Sequence, residues 1–244
     1  MALRGKDIVA LDWNFNSWGA TSERPARSGD KLATAAAAIF GGVRLSAPFI
    51  AEGGAFVTDG KGTIITTRSC LLNKNRNPNV SASQIERSLA GFGGRHVIWL
   101  DGNPNEPITS GHVDGYVMFG EAGEVLVEDI GGIDRAADGI RMRDIETLHS
   151  SMDAEGKPLG VRIVAPPRPE FWASKSALFA PAYLNAYVAN GAVITGRFGD
   201  PERDSLAQLA LQCAFPGRDV RMIDINRIAA GGGGVRCLTQ PVPS

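Results

Sequence analysis

Residues Ala55-Phe56-Val57-Thr58-Asp59-Gly60-Lys61-Gly62-Thr63-Ile64-Ile65-Thr66-Thr67 decide how this chain is read. Two β-favouring runs, 55–57 and 63–67, flank a Gly-containing turn, the signature of a hairpin. Ser81-Ala82-Ser83-Gln84 then has capping-box spacing and opens a helix to Leu89. His96-Val97-Ile98-Trp99-Leu100 follows as an apolar strand. Hairpin, helix and strand make one unit.

The unit recurs. A strand over 113–119, a turn at Glu121-Ala122-Gly123-Glu124 and a strand over 125–128 lead to a helix over 143–150 and a strand over 161–164. Residues 130–138 read as a polar, Gly-containing insertion. The third unit has strands over 183–189 and 192–198 about Asn190-Gly191, then a helix over 201–213 and a strand over 220–225. Asp200 caps its helix and Pro201 takes the first position. Partial units flank these three. The first has a strand over 7–13, an aromatic and amide-rich turn at Phe15, Asn16, Trp18 and Gly19, and a loop over 20–30. It continues with a helix over 31–40 ending at Gly41-Gly42 and a strand over 43–50 running into Glu52-Gly53-Gly54. The last opens at Gly231. The unit starts, Glu52, His112, Asn185 and Cys237, fall at unequal intervals, which favours divergent modules of one closed α/β assembly over a solenoid. The first residue of each unit is then expected to face a common axis.

Bulk composition narrows the function. The 244 residues, 43% hydrophobic and 21% charged, suit one globular domain over 1–244. A net charge of −1 gives no case for nucleic acid or an anionic membrane. No apolar run approaches the roughly 20 residues of a membrane span, and the first residues have no signal-peptide character. Cys70, Cys213 and Cys237 are widely spaced and odd in number, which fits a reducing, cytoplasmic setting. No CxxC or His/Cys cluster points to a metal.

The chemistry-bearing residues sit at the unit starts. Gly231 to Gly234 let something approach the backbone closely, and Val235-Arg236-Cys237-Leu238 reads as a short strand leaving that turn. A cationic neighbour and clustered backbone N–H groups would lower the Cys237 pKa and make a nucleophile; the plain alternative is a flexible loop beside a small buried hydrophobe. His112 and Asp114, at i and i+2 of an expected strand, would point the same way. His96 reads as a core side chain and His149 as a helix-end cation. Glu52, before two glycines, is expected to be held by backbone N–H groups and, bonded to imidazole, to raise its pKa. A Cys, a His and two acids suit nucleophilic attack at a planar carbon, and Asp114 suggests a cationic substrate.

Several segments, in order, carry a resemblance. They are Asp12-Trp13-Asn14-Phe15-Asn16-Ser17-Trp18-Gly19, Glu52-Gly53-Gly54, Leu71-Leu72-Asn73-Lys74-Asn75-Arg76-Asn77-Pro78, Gly111-His112-Val113-Asp114-Gly115, Ala186-Tyr187-Val188-Ala189-Asn190-Gly191 and Gly231 to Gln240. Together they resemble the agmatine deiminase family, which includes the bacterial-type peptidyl-arginine deiminases. The resemblance implies the pentein fold, an α/β propeller of ββαβ-like modules about a pseudo-fivefold axis. It implies hydrolysis of a guanidinium group with release of ammonia; for agmatine the product is N-carbamoylputrescine, a step of putrescine biosynthesis. Cys237 would be the nucleophile, His112 the acid and base, and Glu52 its orienting partner. Asp114, Gly234, Trp18 and Asn185 would contact substrate. No metal or organic cofactor is implied, the partner is a small guanidino molecule, and a homo-oligomer is compatible.

Three departures accompany the resemblance. Family members carry a Trp-x-Arg-Asp-x-Gly-Pro segment upstream of the part matching 12–19, and its Asp is a second guanidinium clamp. These 244 residues lack it, so they are expected to form the C-terminal two-thirds or so of the family domain, a propeller incomplete at the N-terminus with impaired turnover. Asp7 and Asp12 are the only nearby acids. Arg236 stands where agmatine deiminases usually carry His and arginine deiminases also carry Arg. Ser110 replaces a common Asp. The alternative reading is an impaired, guanidino-binding or partner-dependent member, or a peptidyl-arginine or arginine deiminase.

Overall fold

Each hairpin of this chain is followed by a helix that returns the backbone for a third strand. Antiparallel strands can be joined by a tight turn, whereas a parallel neighbour needs a crossover. The computed structural model describes residues 2–4, 7–19, 32–40, 42–129 and 135–242. Within them, four three-stranded sheets repeat this ββαβ plan. The first has β1 (Ala2–Arg4), β2 (Asp7–Asp12), α1 (Leu32–Ile39) and β3 (Val43–Ser46). In the second, β4 (Val57–Thr58) and β5 (Thr63–Thr67) precede α2 (Arg68–Leu71), α3 (Ala82–Ala90) and β6 (His96–Leu100). The third has β7 (Val117–Phe119), β8 (Glu124–Glu128), α4 (Arg135–Ser150) and β9 (Gly160–Val164). The fourth has β10 (Tyr187–Ala189), β11 (Ala192–Arg197), α5 (Pro201–Ala214) and β12 (Asp219–Asp224), followed by the short α6 (Asn226–Ala229). In every sheet the first two strands pair antiparallel and the last two parallel.

The first partial unit is therefore a full module, because β1 supplies a hairpin strand that sequence reading missed. The expected loop over 20–30 and residues 130–134 lie outside the described residues, and 135–138, read as insertion, belong to α4. The strand expected over 43–50 ends at Ser46. His96, expected in the core, is exposed. It is the first residue of β6 and shares a face with Ile98 and Leu100, but only those two, further along the strand, are buried. Local signals behave as written elsewhere. Ser81 and Gln84 form a reciprocal capping box, and Ile85 and Leu89, one turn apart, bury the inner face of α3. Asp200 accepts from Arg203 N–H at the start of α5.

Adjacent modules share their cores. Val57, Ile65 and Leu100 of the second pack with Val117, Val125 and Leu148 of the third. Met118, Leu126 and Val164 of the third pack with Val193, Phe198 and Leu211 of the fourth. Apolar area removed from water contributes roughly 25 cal/mol per Å², and here much of it is removed only when neighbours dock. That sharing fixes the module entries relative to one another.

Candidate active site

Three module entries are short 3-10 turns, at two of which, 113–115 and 236–238, strands had been expected. Gly53–Ala55 follows Glu52, Val113–Gly115 follows His112, and Arg236–Leu238 contains Cys237. Asn185 precedes β10 in irregular backbone, so the strand expected over 183–189 begins only at Tyr187. The 235–238 segment has no strand neighbour: Arg236 N–H donates to Asn185 O at 3.2 Å, and Leu238 N–H closes back on Val235 O. His112 and Asp114 thus share a site through a tight turn and not through strand alternation. His112 Nδ1 and Asp114 Oδ1 are 3.8 Å apart.

Glu52 is held by side chains, correcting the expected backbone N–H cradle. Arg76 donates from Nη2 at 2.6 Å and from Nε at 3.1 Å to Glu52 Oε1, and the same oxygen meets His112 Nε2 at 2.6 Å. The Asn-rich turn places Arg76. Asn77 accepts from Ile50 N–H and donates to the carbonyls of Ile50 and Leu71, clipping the approach to Glu52 onto α2. Burial alone would push the Glu52 carboxyl up, but His112 and then Arg76 hold it below the usual range. Burial would likewise push His112 down. Hydrogen bonds to Cys70 and Glu52, with the Asp114 charge, overcome that and push it up to about 10. Gly54 lets these groups converge: a Cβ there would stand 2.4 Å from His112 Nδ1 and 2.9 Å from Asp114 Oδ1.

Asn185 joins the carboxylate to the thiol. Its Nδ2 donates to Asp114 O at 3.2 Å, while its Oδ1 accepts from Cys237 N–H and faces Cys237 Sγ, both at 3.4 Å. Gly234 makes room for it, since a Cβ there would stand 2.5 Å from Asn185 Oδ1. Asp114 is 3% exposed, and burial raises its pKa against the pull of His112 and Arg236. Arg236 Nε lies 3.2 Å from Asp114 Oδ2, and its Nη2 donates to Phe56 O at 3.3 Å. The Cys237 thiol, expected to be acidified, is instead pushed up. Desolvation acts first and the Asp114 charge second, outweighing the Gly234 backbone, Asn185 and His112. Cys237 is nevertheless exposed as a residue and open to a ligand.

The structure therefore brings Glu52, His112, Asp114, Asn185, Gly234 and Cys237 to one place. Trp18 sits on the 13–19 loop, where its ring meets Phe15 edge-on and Asn16 Nδ2 donates to Asn75 O, beside Arg76. Asp12 is engaged by Arg44 through a salt bridge and by Asn14 N–H. Sequence reading missed Arg76 and Cys70; neither has a spacing that singles it out, since both reach the site across the fold. Among the described residues, Glu52, Cys70 and His112 each bring a ligand-type atom within 4.8 Å of the others. The fully buried Arg76 guanidinium already supplies the cation at Glu52, which disfavours a divalent ion there. Among the described residues, no helix is long and apolar enough to cross a membrane.

The chain is similar to known proteins over nearly its whole length. The agmatine deiminase of Pseudomonas aeruginosa strain LESB58 is 33% identical over 262 residues, covering 98% of this chain and 70% of its own length. That of Medicago truncatula is 36% identical, over 97% of this chain and 69% of its own. The structure of the Enterococcus faecalis agmatine deiminase superposes with a TM-score of 0.84 at 26% identity, covering 97% of this chain and 69% of that one. The architecture is accordingly pentein-type. The model of the Porphyromonas-type peptidyl-arginine deiminases matches residues 2–243, which include every one of the converging side chains. With that match over nearly its whole length, the chain belongs to the Porphyromonas-type peptidyl-arginine deiminase family.

Proposed function

We propose that the chain is a guanidine deiminase that hydrolyses agmatine to N-carbamoylputrescine and ammonia, a step toward putrescine. The observation that carries this reading is the Asn185 bridge, which fixes the Asp114 main chain and the Cys237 thiol around one spot. A buried carboxylate can hold a planar guanidinium there by charge-assisted hydrogen bonds while sulfur faces its carbon.

The resting state is a neutral thiol beside an imidazolium. A substrate cation docking on Asp114 offsets the charge that raises the Cys237 pKa, so the thiol ionises once substrate is in place, its proton leaving to solvent. The thiolate attacks the guanidinium carbon. His112, already protonated through Glu52, gives its proton to the departing nitrogen, ammonia leaves, and an amidino-thioether remains. Its Nδ1 faces Asp114 and is the nitrogen placed for this transfer. Neutral His112 then takes a proton from water, hydroxide adds to the amidino carbon, the thiolate is expelled, and the hydroxyl proton of the adduct passes to it, giving the ureido product and the resting thiol. We place the protein in the cytoplasm, where its unpaired thiols suit a reducing medium.

The test compares ureido product and ammonia from agmatine, free arginine and a peptidyl-arginine. The reading expects agmatine to have the highest kcat/KM. A higher value for either arginine substrate would reassign the substrate.

A further inference from the structure

We propose that Arg236 is an internal guanidinium ligand of Asp114 that substrate must displace, so that this side chain sets the apparent substrate affinity of the site. The inference rests on the assignment of Asp114 as the guanidinium clamp.

Asp114 is buried, and a carboxylate taken out of water needs a cation or hydrogen-bond donors. One cation there is a guanidinium, the group that the proposed substrate would bring. Arg236 Nε is 3.2 Å from Oδ2, with its Nη2 anchored on Phe56 O at 3.3 Å. Asp114 Oδ1 faces His112, so Arg236 takes the other carboxylate oxygen. Its side chain is 34% exposed, which leaves it a path outward. Its backbone is fixed by the Asn185 carbonyl one residue before the nucleophile. Withdrawal of Arg236 is therefore a side-chain movement that leaves Cys237 in place.

Exchange of one guanidinium for another on the same carboxylate keeps that carboxylate paired throughout. Its cost is the tethered competitor's high effective concentration. A site whose competent form is populated only in part binds with an apparent Kd raised by the inverse of that fraction. If Arg236 occupies the clamp about nine-tenths of the time, substrate affinity is weakened about tenfold.

The experiment has two arms. Steady-state kinetics on agmatine compare the parent with Arg236→Ala and with Arg236→Lys, each checked for native circular dichroism. The expected result is a fall in KM of about tenfold for Arg236→Ala with kcat changed less than about threefold, and a smaller fall for Arg236→Lys. The second arm measures agmatine binding by calorimetry to Cys237→Ala with and without Arg236→Ala, expecting tighter binding when Arg236 is removed. Equal binding by both forms, or an unchanged or higher KM in the folded Arg236→Ala protein, overturns the competitor role and leaves the clamp intact. Binding by neither form overturns the clamp itself, and the competitor with it.

Discussion

Glu52 Oε1 is shared by two partners at the same distance, Arg76 Nη2 at 2.6 Å and His112 Nε2 at 2.6 Å. One buried oxygen thus links a permanent cation to a titrating ring. Arg76 is the part of this arrangement that does no chemistry but keeps the carboxylate ionised. Replacing Arg76 by Ala should leave His112 as the remaining cation on Glu52, remove the bonds to Glu52 and Thr109 O, and cost about 1.5–3 kcal/mol of stability, read from the urea midpoint at constant m-value. A loss under about 1 kcal/mol would mean that Glu52 is solvated in solution.

The pH dependence of stability follows from the raised His112 pKa. A group held at about 10 in the fold and near 6.5 when unfolded adds stability that is complete below pH 6.5. That contribution fades as pH rises from 6.5 toward 10, with a slope of at most about 1.4 kcal/mol per pH unit. Urea denaturation of the parent and of His112→Gln across this window should show the parent losing its advantage on the alkaline side. Parallel curves would contradict the imidazolium assignment.

Glu52→Gln keeps the shape and removes the charge. His112 should then titrate at lower pH, and the alkaline limb of the kcat profile should move down with it, because the leaving nitrogen needs the imidazolium proton. A kcat loss of about 10²–10⁴-fold is the range for an impaired acid–base group. An unmoved limb together with lost activity would point to a merely structural Glu52.

Gly53 and Gly54 make a matched pair. A Cβ on Gly53 meets nothing within 4 Å, whereas one on Gly54 would press on His112 Nδ1 and Asp114 Oδ1. Gly53→Ala should therefore leave kcat/KM within about threefold, and Gly54→Ala should lower it about 10²-fold through misplacement of the ring. Similar values for the two variants would show that the turn relaxes freely.

Much of this site is legible in the sequence. Hairpin turns, the Ser81 capping box and the Asp200 cap gave the module plan, and the idea that module entries meet at an axis brought Glu52, His112 and Asn185 to the neighbourhood of Cys237. What the chain concealed was how they meet. Strand periodicity over 113–119 and 235–238 is indistinguishable from a 3-10 turn when only a few residues are involved, so the His112–Asp114 relation was right in outcome and wrong in cause. The charge environment of Cys237 was misjudged because the nearest cation in sequence, Arg236, spends its charge on Asp114. Arg76 and Cys70 reach His112 and Glu52 only through tertiary packing, which no local pattern encodes.

The central claim is that Cys237 forms a covalent bond to the guanidinium carbon. Rapid acid quench of the protein turning over agmatine, followed by mass spectrometry of the intact chain and its peptides, tests it most directly. The account predicts an adduct with the mass of agmatine less ammonia on Cys237, absent in Cys237→Ala, which should also release no ureido product. Product formation that persists in Cys237→Ala, or an adduct on another residue, would contradict it.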